Sequence, residues 1–227
     1  MQKNLAQYTA FLFDLNGTII DDMQYHIRAW HGILNALGAT ISLERTKEEC
    51  YGKNNELLER IFPGIFTDDE KNRMSLEKEK QYQLDFSPHL KAISGFESFL
   101  RKAHRLGIKT AIGSAAIMYN IDFVLDGLHM RELVDAVVSA DDVVNSKPHP
   151  ETFIKCANAL AVPPGQCLVF EDAPKGVEAA HNAGMDAIVI TTLHQPHEFA
   201  AYSNIIGFIE DYHDEQLTRL LWQKEKI

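Results

Sequence analysis

Cysteine is scarce in this chain, and no two cysteines have the spacing of a metal-binding or redox motif. The three cysteines are Cys50, Cys156 and Cys167. An odd number of cysteines without a Cys-x-x-Cys pair argues against a disulfide framework and favours reduced thiols. We therefore expect a cytoplasmic protein in which these residues are small apolar side chains of the interior.

Long apolar runs are missing as well. The first apolar run, at residues 10–13, is short and ends in Asp14, so the N-terminus does not have the pattern of a signal peptide. No window approaches the roughly 18 consecutive apolar residues of a transmembrane helix. We expect neither a leader sequence nor a membrane span.

Positive charge is the third deficit. The chain has 22 Lys and Arg against 32 Asp and Glu, which gives a formal net charge of −10 at pH 7. This balance argues against a general affinity for nucleic acid or for an anionic membrane surface. An anionic substrate would need a local cluster of positive charge or a metal ion.

What the sequence does contain is an alternation of short apolar runs with helix-length segments. Runs compatible with buried strands occur at 10–13, 108–112, 134–138, 167–170, 186–190 and 205–209. Segments with helical spacing of apolar residues lie at 95–106, 117–127, 150–161 and 175–183. Pro150 is placed as a first helical residue, and Gly107 and Gly184 as helix stops. The alternation predicts an α/β fold, with a parallel sheet and helices on both faces.

One region breaks the alternation. No clear strand occurs from about residue 22 to 92, and the segments 22–37, 46–61 and 68–86 have the pattern of amphipathic helices. We therefore predict a core formed by residues 1–20 and 93–227, interrupted by an all-helical insert at residues 21–92.

The predicted strands end in residues that can do chemistry. In an open parallel sheet, ligands bind beyond the carboxyl ends of the strands. Four strand ends supply, in order, a carboxylate, a hydroxyl, an ammonium and two acids: Asp14, Ser114 with Ala115, Lys147, and Glu171 with Asp172. Each motif alone is also typical of a turn, a solvated side chain or a helix cap. Their joint placement favours an active site.

This set of groups suits phosphoryl transfer. A carboxyl of ordinary pKa, about 3.9, is ionised at neutral pH, so Asp14 could attack without a general base. Because an anion attacking a phosphate is repelled, the charge must be neutralised. Asp14, Glu171 and Asp172 form an oxygen-rich set suited to Mg²⁺. Lys147 and Ser114 could hold the remaining phosphoryl oxygens.

The order of these motifs resembles the haloacid dehalogenase superfamily, and within it the β-phosphoglucomutase-like branch. The resemblance spans nearly the whole chain, and three stretches carry the branch pattern: "DDMQYHIRAW" (21–30), "SKPHPETF" (146–153) and "EDAPKGVEAAHNAG" (171–184). It implies a Rossmann-like core and a helical cap that closes over the site and excludes water.

The resemblance also implies roles for individual residues. Asp14 would be the nucleophile, and Thr18 would help Ser114 and Lys147 to position the phosphoryl group. The metal set would comprise Asp14, the backbone carbonyl of Asn16, Glu171 and Asp172.

In the cap, the resemblance implies that His26 and Lys78 face the substrate. Asn55 stands where β-phosphoglucomutase has an arginine that grips a distal phosphate, and Lys53 nearby is not an equivalent fork-shaped donor. We therefore expect a smaller or singly phosphorylated metabolite as substrate, a sugar phosphate or a pyrophosphate-like compound, with phosphatase activity favoured over mutase activity. We also expect a monomeric protein.

Asn16 departs from the family pattern, which has a second aspartate at this position. That aspartate protonates the leaving oxygen and later deprotonates the attacking water or alcohol, and an amide does neither. Three explanations remain open: an aspartate replaced deliberately, a natural variant whose proton comes from another group such as His26, or a protein that only binds a phosphorylated ligand.

Two other classes of the superfamily are alternatives. Phosphonatases lack the second aspartate and form a Schiff base on a cap lysine, for which Lys53 would be the candidate. Haloacid dehalogenases proper use the same nucleophile without Mg²⁺, and the pair Glu171-Asp172 argues against them.

We predict that Asn16→Asp raises turnover by about 10²–10⁴-fold, the usual size of general acid–base help. The measurement is paired steady-state kinetics of both chains with Mg²⁺ on sugar phosphates, pyrophosphate and an aryl phosphate. Turnover that does not change on any substrate would show that residue 16 is not the missing proton donor.

Overall fold

The computed structural model describes residues 7–225. The chain forms two compact units, one bounded by Met1–Asp21 and Lys91–Ile227 and the other by Asp22–Leu90. The predicted core also included residues 1–6 and 226–227, which lie outside the described part of the chain.

The first unit contains a six-stranded sheet in the order β3-β2-β1-β4-β5-β6. All of its strand pairs are parallel. The strands are β1 Ala10–Phe13, β2 Lys109–Gly113, β3 Ala136–Val138, β4 Cys167–Glu171, β5 Asp186–Ile190 and β6 Ile205–Ile209. The predicted α/β class with a Rossmann-like parallel sheet is confirmed.

Helices separate the strands of the first unit and make up the second. They are α1 Met23–Ala36, α2 Leu43–Glu49, α3 Asn54–Ile61, α4 Asp68–Phe86, α5 Phe96–Arg105, α6 Met118–Gly127, α7 Glu151–Ala159, α8 Pro174–Asn182 and α9 Glu215–Glu225. Shorter 3₁₀ turns occur at Ser87–His89, Arg131–Leu133, Ala140–Asp142, Pro164–Gln166 and Pro196–Phe199. Gly107 and Gly184 follow α5 and α8 with φ of +70° and +72°, as expected for residues that end a helix.

Three predicted boundaries were wrong. The helix predicted at 46–61 is two helices, α2 and α3, because the chain turns at Gly52 with φ of +73° and α3 starts anew with the Glu56 carboxylate accepting from the Lys53 amide. The strand predicted at 134–138 begins only at Ala136. Just before it, the Asp135 carboxylate accepts a hydrogen bond from the Thr110 amide at 2.7 Å, in place of regular strand pairing. Helix α7 likewise starts at Glu151, one residue after Pro150.

One face of the sheet is packed with aromatic rings. Phe13 and Phe170, neighbours on β1 and β4, stack with ring centroids 4.8 Å apart. Phe11 stacks on Phe99 of α5 at 5.6 Å, and Tyr212 lies 5.5 Å from Phe99. Because β1 and β4 carry the acidic residues at their ends, this aromatic layer fixes the strands that position them.

The opposite face packs on α7 and α8. Phe153, Cys156 and Val177 are fully buried there, and Cys167 of β4 belongs to the same cluster. Burial raises the pKa of the Cys156 thiol to about 12, so this thiol stays neutral. Cys50, expected inside, is only partly buried.

The second unit, residues 22–90, has a small core of its own. Trp30 and Leu34 of α1 pack with Leu57 and Leu58 of α3, and all four are buried. Among residues 7–225, no helix combines the length and the apolar composition needed to cross a membrane.

We predict that Phe170→Ala lowers the free energy of unfolding by about 3–5 kcal/mol, because it opens a cavity in the aromatic layer. Urea unfolding followed by circular dichroism measures the change. Val144→Ala in the same unit is the control: its side chain is 80% exposed, and we expect a change within about 0.5 kcal/mol. Equal losses for the two variants would contradict the packing.

Candidate active site

Asp14 follows the last residue of β1 at the carboxyl edge of the sheet. Its amide donates to the Phe170 carbonyl at 3.0 Å, so β1 and β4 remain paired up to this residue. The side chain is buried, with 7% of its surface exposed. The central strand of the sheet thus ends in a carboxylate that is largely shielded from water.

The chain turns tightly after Asp14. Gly17 has φ of +78°, and a Cβ at this position would overlap the Asp172 carboxylate. Only glycine both adopts this conformation and leaves room for that acid. The Gly17 carbonyl accepts from the Thr192 hydroxyl at 2.7 Å, and the Thr18 carbonyl accepts from the Tyr212 hydroxyl at 3.0 Å. Two side chains from distant positions therefore anchor this turn.

The Lys147 ammonium joins two of the acids. Its Nζ lies 2.5 Å from Asp14 Oδ1 and 2.8 Å from Glu171 Oε1, and Lys147 is buried. Burial alone would lower the pKa of Lys147, but the Asp14 and Glu171 carboxylates outweigh it and raise the pKa above its ordinary value. Lys147 therefore carries a permanent charge at neutral pH.

Glu171 and Asp172 come from the end of β4. Glu171 Oε2 accepts from the amides of Asp172 and Ala173 at 2.9 and 2.8 Å, and its other oxygen accepts from Lys147. Gly176 leaves room for the Glu171 carboxylate, which a Cβ there would overlap. Both oxygens of Glu171 are thus held in place.

Asp172 is buried among other acids. Burial raises its pKa well above the ordinary value, the Glu171 and Asp14 charges raise it further, and Lys147 only partly offsets them. The three acids outnumber the single ammonium, which leaves an excess of buried negative charge.

Ser114 follows the last residue of the neighbouring strand β2. It is buried, and its hydroxyl oxygen accepts from the Ala116 amide at 3.1 Å. Ala115 and Asn16 are partly exposed. Thr18 is fully buried, and its hydroxyl has no hydrogen-bond partner within the described residues. The loops after β1 and β2 thus lie at one edge of the sheet.

The donor set suits a hard cation. Carboxylate oxygens are the ligands that Mg²⁺ prefers, and a bound cation would offset the excess of buried acid here. Across residues 7–225 no three His, Cys, Asp or Glu side chains are arranged to hold a metal ion together. A metal ion would therefore depend on two carboxylates supplemented by backbone oxygen.

In the helical unit, two of the predicted substrate residues touch each other. Lys78 Nζ lies 2.5 Å from His26 Nδ1, and His26 Nε2 lies 3.2 Å from Asp22 Oδ2. Asp22 also accepts from the Tyr82 hydroxyl, whose ring stacks on His26 at 3.9 Å. Burial and the Asp22 charge raise the pKa of Tyr82, so it remains a neutral donor.

Asn55 lies in a separate set of polar contacts. Its amide donates to Asn72 Oδ1 at 2.6 Å, and its carbonyl accepts from the Ser75 hydroxyl at 3.0 Å. These contacts contain no cation. Asn55 therefore presents neutral groups where the family resemblance implied an arginine.

Several residues of these networks were missed by the sequence analysis. Tyr212 lies 194 positions from Thr18, and nothing in the sequence near either residue indicates their contact. Asp22, by contrast, stands four residues before His26, a spacing that places the two side chains on one helix face and that a search for paired polar groups could have found.

Comparison with known proteins identifies the family. A sequence model described as haloacid dehalogenase-like hydrolase matches residues 11–190. Fructose-1-phosphate phosphatase of Escherichia coli is 31% identical over 194 residues, covering 82% of this chain and 98% of the relative. β-Phosphoglucomutase of Bacillus subtilis is 30% identical over 186 residues, covering 79% and 81% of the two chains.

The crystal structure of β-phosphoglucomutase from Clostridium difficile superimposes with a TM-score of 0.81 at 26% identity, over 96% of this chain and 98% of the other. The chain therefore belongs to the haloacid dehalogenase-like hydrolase family. Within that family it falls in the β-phosphoglucomutase-like branch, and it is an enzyme of the phosphatase and phosphomutase kind. The predicted resemblance and the predicted enzyme class are confirmed.

We predict that Asp172→Asn raises the melting temperature of the metal-free protein at pH 7. Because the folded-state pKa of Asp172 is raised, folding favours the neutral form, and ionisation at neutral pH destabilises the fold. The difference between the two proteins should shrink as the pH falls toward about 3.9, the pKa of an unfolded aspartate.

Differential scanning calorimetry in a chelator, at a series of pH values, measures this difference. Asp69→Asn makes the same chemical change at an exposed position on α4 and should leave the melting temperature nearly unchanged. A lower melting temperature for Asp172→Asn at pH 7 would contradict the electrostatic account.

Proposed function

We propose that this protein is a Mg²⁺-dependent phosphatase that acts on a small phosphorylated metabolite through an aspartyl-phosphate on Asp14. The observation that carries the proposal is the buried Lys147 ammonium held between Asp14 and Glu171. A carboxylate paired with a permanent positive charge, at the end of a central strand, is both an ionised nucleophile and part of a phosphate-binding site.

In the proposed reaction an Asp14 carboxylate oxygen attacks phosphorus, and the bond to the ester oxygen breaks. The leaving oxygen takes up a proton. Water then attacks the phosphorus of the acyl phosphate, loses a proton, and releases inorganic phosphate from Asp14. Lys147 and the Ser114 hydroxyl hold phosphoryl oxygens, and Ala115 contributes its backbone amide. Thr18, four residues after the nucleophile, has a buried hydroxyl without a partner among the described residues, and we assign it the same purpose.

The metal ion is assigned to the acidic edge of this site. Asp14, Asp172 and the backbone carbonyl of Asn16 would hold it, and Glu171 contributes negative charge while it orients Lys147 and the loop after β4. Bound Mg²⁺ supplies positive charge that offsets the repulsion between a carboxylate and a phosphate.

Asn16 is proposed to slow the reaction at both proton transfers. Its side-chain amide neither gives a proton to the leaving oxygen nor takes one from water. His26 does not have a nitrogen free to replace it, since one ring nitrogen contacts Lys78 and the other contacts Asp22. With a good leaving group, phosphorylation of Asp14 should therefore be easier than hydrolysis of the aspartyl-phosphate.

The substrate is proposed to be a sugar monophosphate or a similar polyol phosphate. The Escherichia coli relative is named as a fructose-1-phosphate phosphatase, and the Bacillus subtilis relative as a β-phosphoglucomutase. The neutral contacts of Asn55 favour the phosphatase, because a mutase must also bind the second phosphate of a bisphosphate intermediate.

The helical unit is proposed to act as a cap that supplies substrate contacts. His26, Lys78 and Asn55 belong to it, and all three lie among hydrogen-bonding groups. We assign it the role of selecting the substrate, while the strand ends of the other unit carry out the chemistry.

We predict that the protein gives a burst with an aryl phosphate and Mg²⁺. The good leaving group lets Asp14 become phosphorylated, while the missing base at residue 16 delays hydrolysis. Stopped-flow release of the aryl alcohol should show one rapid equivalent per protein, and intact mass spectrometry should show one added phosphoryl group.

Two variants make this test specific. Asp14→Asn should abolish the burst and the mass increase, whereas Asn16→Asp should convert the burst into steady turnover. Phosphoryl transfer that survives in Asp14→Asn would exclude the proposed nucleophile. A protein that binds phosphate with Mg²⁺ but never releases aryl alcohol would be a binder and not an enzyme.

A further inference from the structure

The loop between β3 and α7, residues 139–150, carries Lys147 and supports a further inference. Lys147 lies nine residues beyond the end of β3, yet its ammonium reaches Asp14 and Glu171 at the ends of β1 and β4. Because β2 lies between β3 and β1 in the sheet, the loop has to bring this side chain past the end of β2. The position of the ammonium therefore depends on what holds the loop.

Apolar packing does not hold the segment just before Lys147. Val144 and Asn145 are exposed, and Ser146 is only partly buried. A loop whose side chains lie outside the core loses little packing free energy when it moves. Hydrogen bonds from the rest of the unit therefore have to fix this segment.

The Glu151 carboxylate, in the first turn of α7, accepts these hydrogen bonds. Its Oε1 accepts from the Val144 amide at 3.0 Å, and its Oε2 accepts from the Asn145 amide at 2.9 Å. The side-chain amide of Asn145 also donates to Oε2, at 3.3 Å. The two oxygens of one carboxylate thus hold two successive backbone amides, which fixes the orientation of the loop as well as its position.

Lys155 keeps this carboxylate in place. Its Nζ lies 2.8 Å from Glu151 Oε1, and it also donates to the Asp142 carbonyl. The hydrogen bond from Lys155 and those from the loop amides lower the pKa of Glu151 to about 2. Glu151 is therefore ionised at neutral pH, and an ionised carboxylate is the stronger acceptor for backbone amides.

The loop is also held on the other side of Lys147. The side-chain amide of Asn182, at the end of α8, donates to the Pro148 carbonyl at 3.1 Å. Lys147 thus lies between two anchored residues, Asn145 and Pro148, that are three positions apart in the sequence. Glu151 provides the charged anchor of the two.

We propose that Glu151 is a positioning residue, which holds the loop so that the Lys147 ammonium stays between Asp14 and Glu171 and can bind a phosphoryl oxygen there. Glu151 acts through Lys147 and touches neither the substrate nor the metal ion. The inference rests on the proposed function for the phosphoryl group, whereas the placement of the ammonium can be tested without any substrate.

The first measurement is the rate at which an amine-acylating reagent modifies Lys147, followed by peptide mass spectrometry. Acylation needs an accessible neutral amine, so a buried ammonium paired with two carboxylates should react slowly. Glu151→Gln replaces one accepting oxygen with an NH₂ group, which cannot accept from a loop amide. We expect severalfold faster acylation of Lys147, while Lys78, buried in the helical unit, stays protected and shows that the protein remains folded.

The second measurement is the dissociation constant of inorganic phosphate with Mg²⁺, from isothermal titration calorimetry. We expect Glu151→Gln to weaken binding by about tenfold or more, the usual cost of disturbing a group that orients a ligand-binding residue. Glu97→Gln is the matched control. Glu97 is an exposed acid in the first turn of α5 and pairs with Arg101 four residues on, as Glu151 pairs with Lys155. This control should change neither measurement.

A second variant separates positioning from a general effect of charge, and it carries the test if Glu151→Gln does not fold. Glu151→Asp keeps the negative charge at the start of α7 but is one methylene shorter, so its oxygens should not reach both amides at once. We expect it to speed acylation of Lys147 as well. Acylation that stays slow in Glu151→Asp would show that only the charge matters and would overturn the inference.

The two measurements distinguish failure of this inference from failure of the proposed function. Acylation of Lys147 that is equally slow in all the variants would show that Glu151 does not place the ammonium. Faster acylation with an unchanged phosphate affinity would equally overturn a role for Glu151 in the reaction. If the starting protein binds no phosphate with Mg²⁺, the proposed function falls, and acylation alone decides whether Glu151 positions Lys147.

Discussion

The site depends on the ion pairs that the buried Lys147 ammonium makes with two carboxylates. Asp14, Glu171 and Asp172 come from two neighbouring strands, and their carboxylates would repel one another in a space shielded from water. Lys147 bridges Asp14 and Glu171 and reduces this repulsion. The surplus of acid that remains destabilises the fold and would be offset by a bound cation. In the proposed function, stability and cation binding therefore oppose each other at this sheet edge.

The acids can lie so close together because the backbone next to them has no side chain at two positions. Gly17 and Gly176 stand where any side chain would overlap Asp172 and Glu171. Tyr212 and Thr192 then fix the turn from outside, through carbonyls that strand pairing does not use. The aromatic layer beneath holds β1 and β4 in register. Ring packing thus fixes the strands, the strands fix the turn, and the turn positions the carboxylates.

Much of this arrangement could be predicted from the sequence. The strand ends and the acids follow local patterns, since Asp14, Ser114 and Asp172 come directly after β1, β2 and β4, whereas Lys147 lies nine residues beyond the end of β3. The split between α2 and α3 was missed by the sequence analysis because the helical spacing of apolar residues continues across Gly52. The helix is interrupted there by the φ of +73° at Gly52. Tyr212 was missed for a different reason: its contact with Thr18 joins residues 194 positions apart, which no local pattern reveals.

The strand order has a consequence for how the protein is made. β1 is synthesised before the other strands, yet its two neighbours in the sheet are β2 and β4, and β4 is about 155 residues later. Such long-range pairing forms slowly. The helical unit, whose contacts are local, is complete long before β4 is synthesised. During translation Asp14 is therefore the first residue of the acidic cluster to be synthesised. Its carboxylate can pair with Lys147 and Glu171 only after most of the chain has been made.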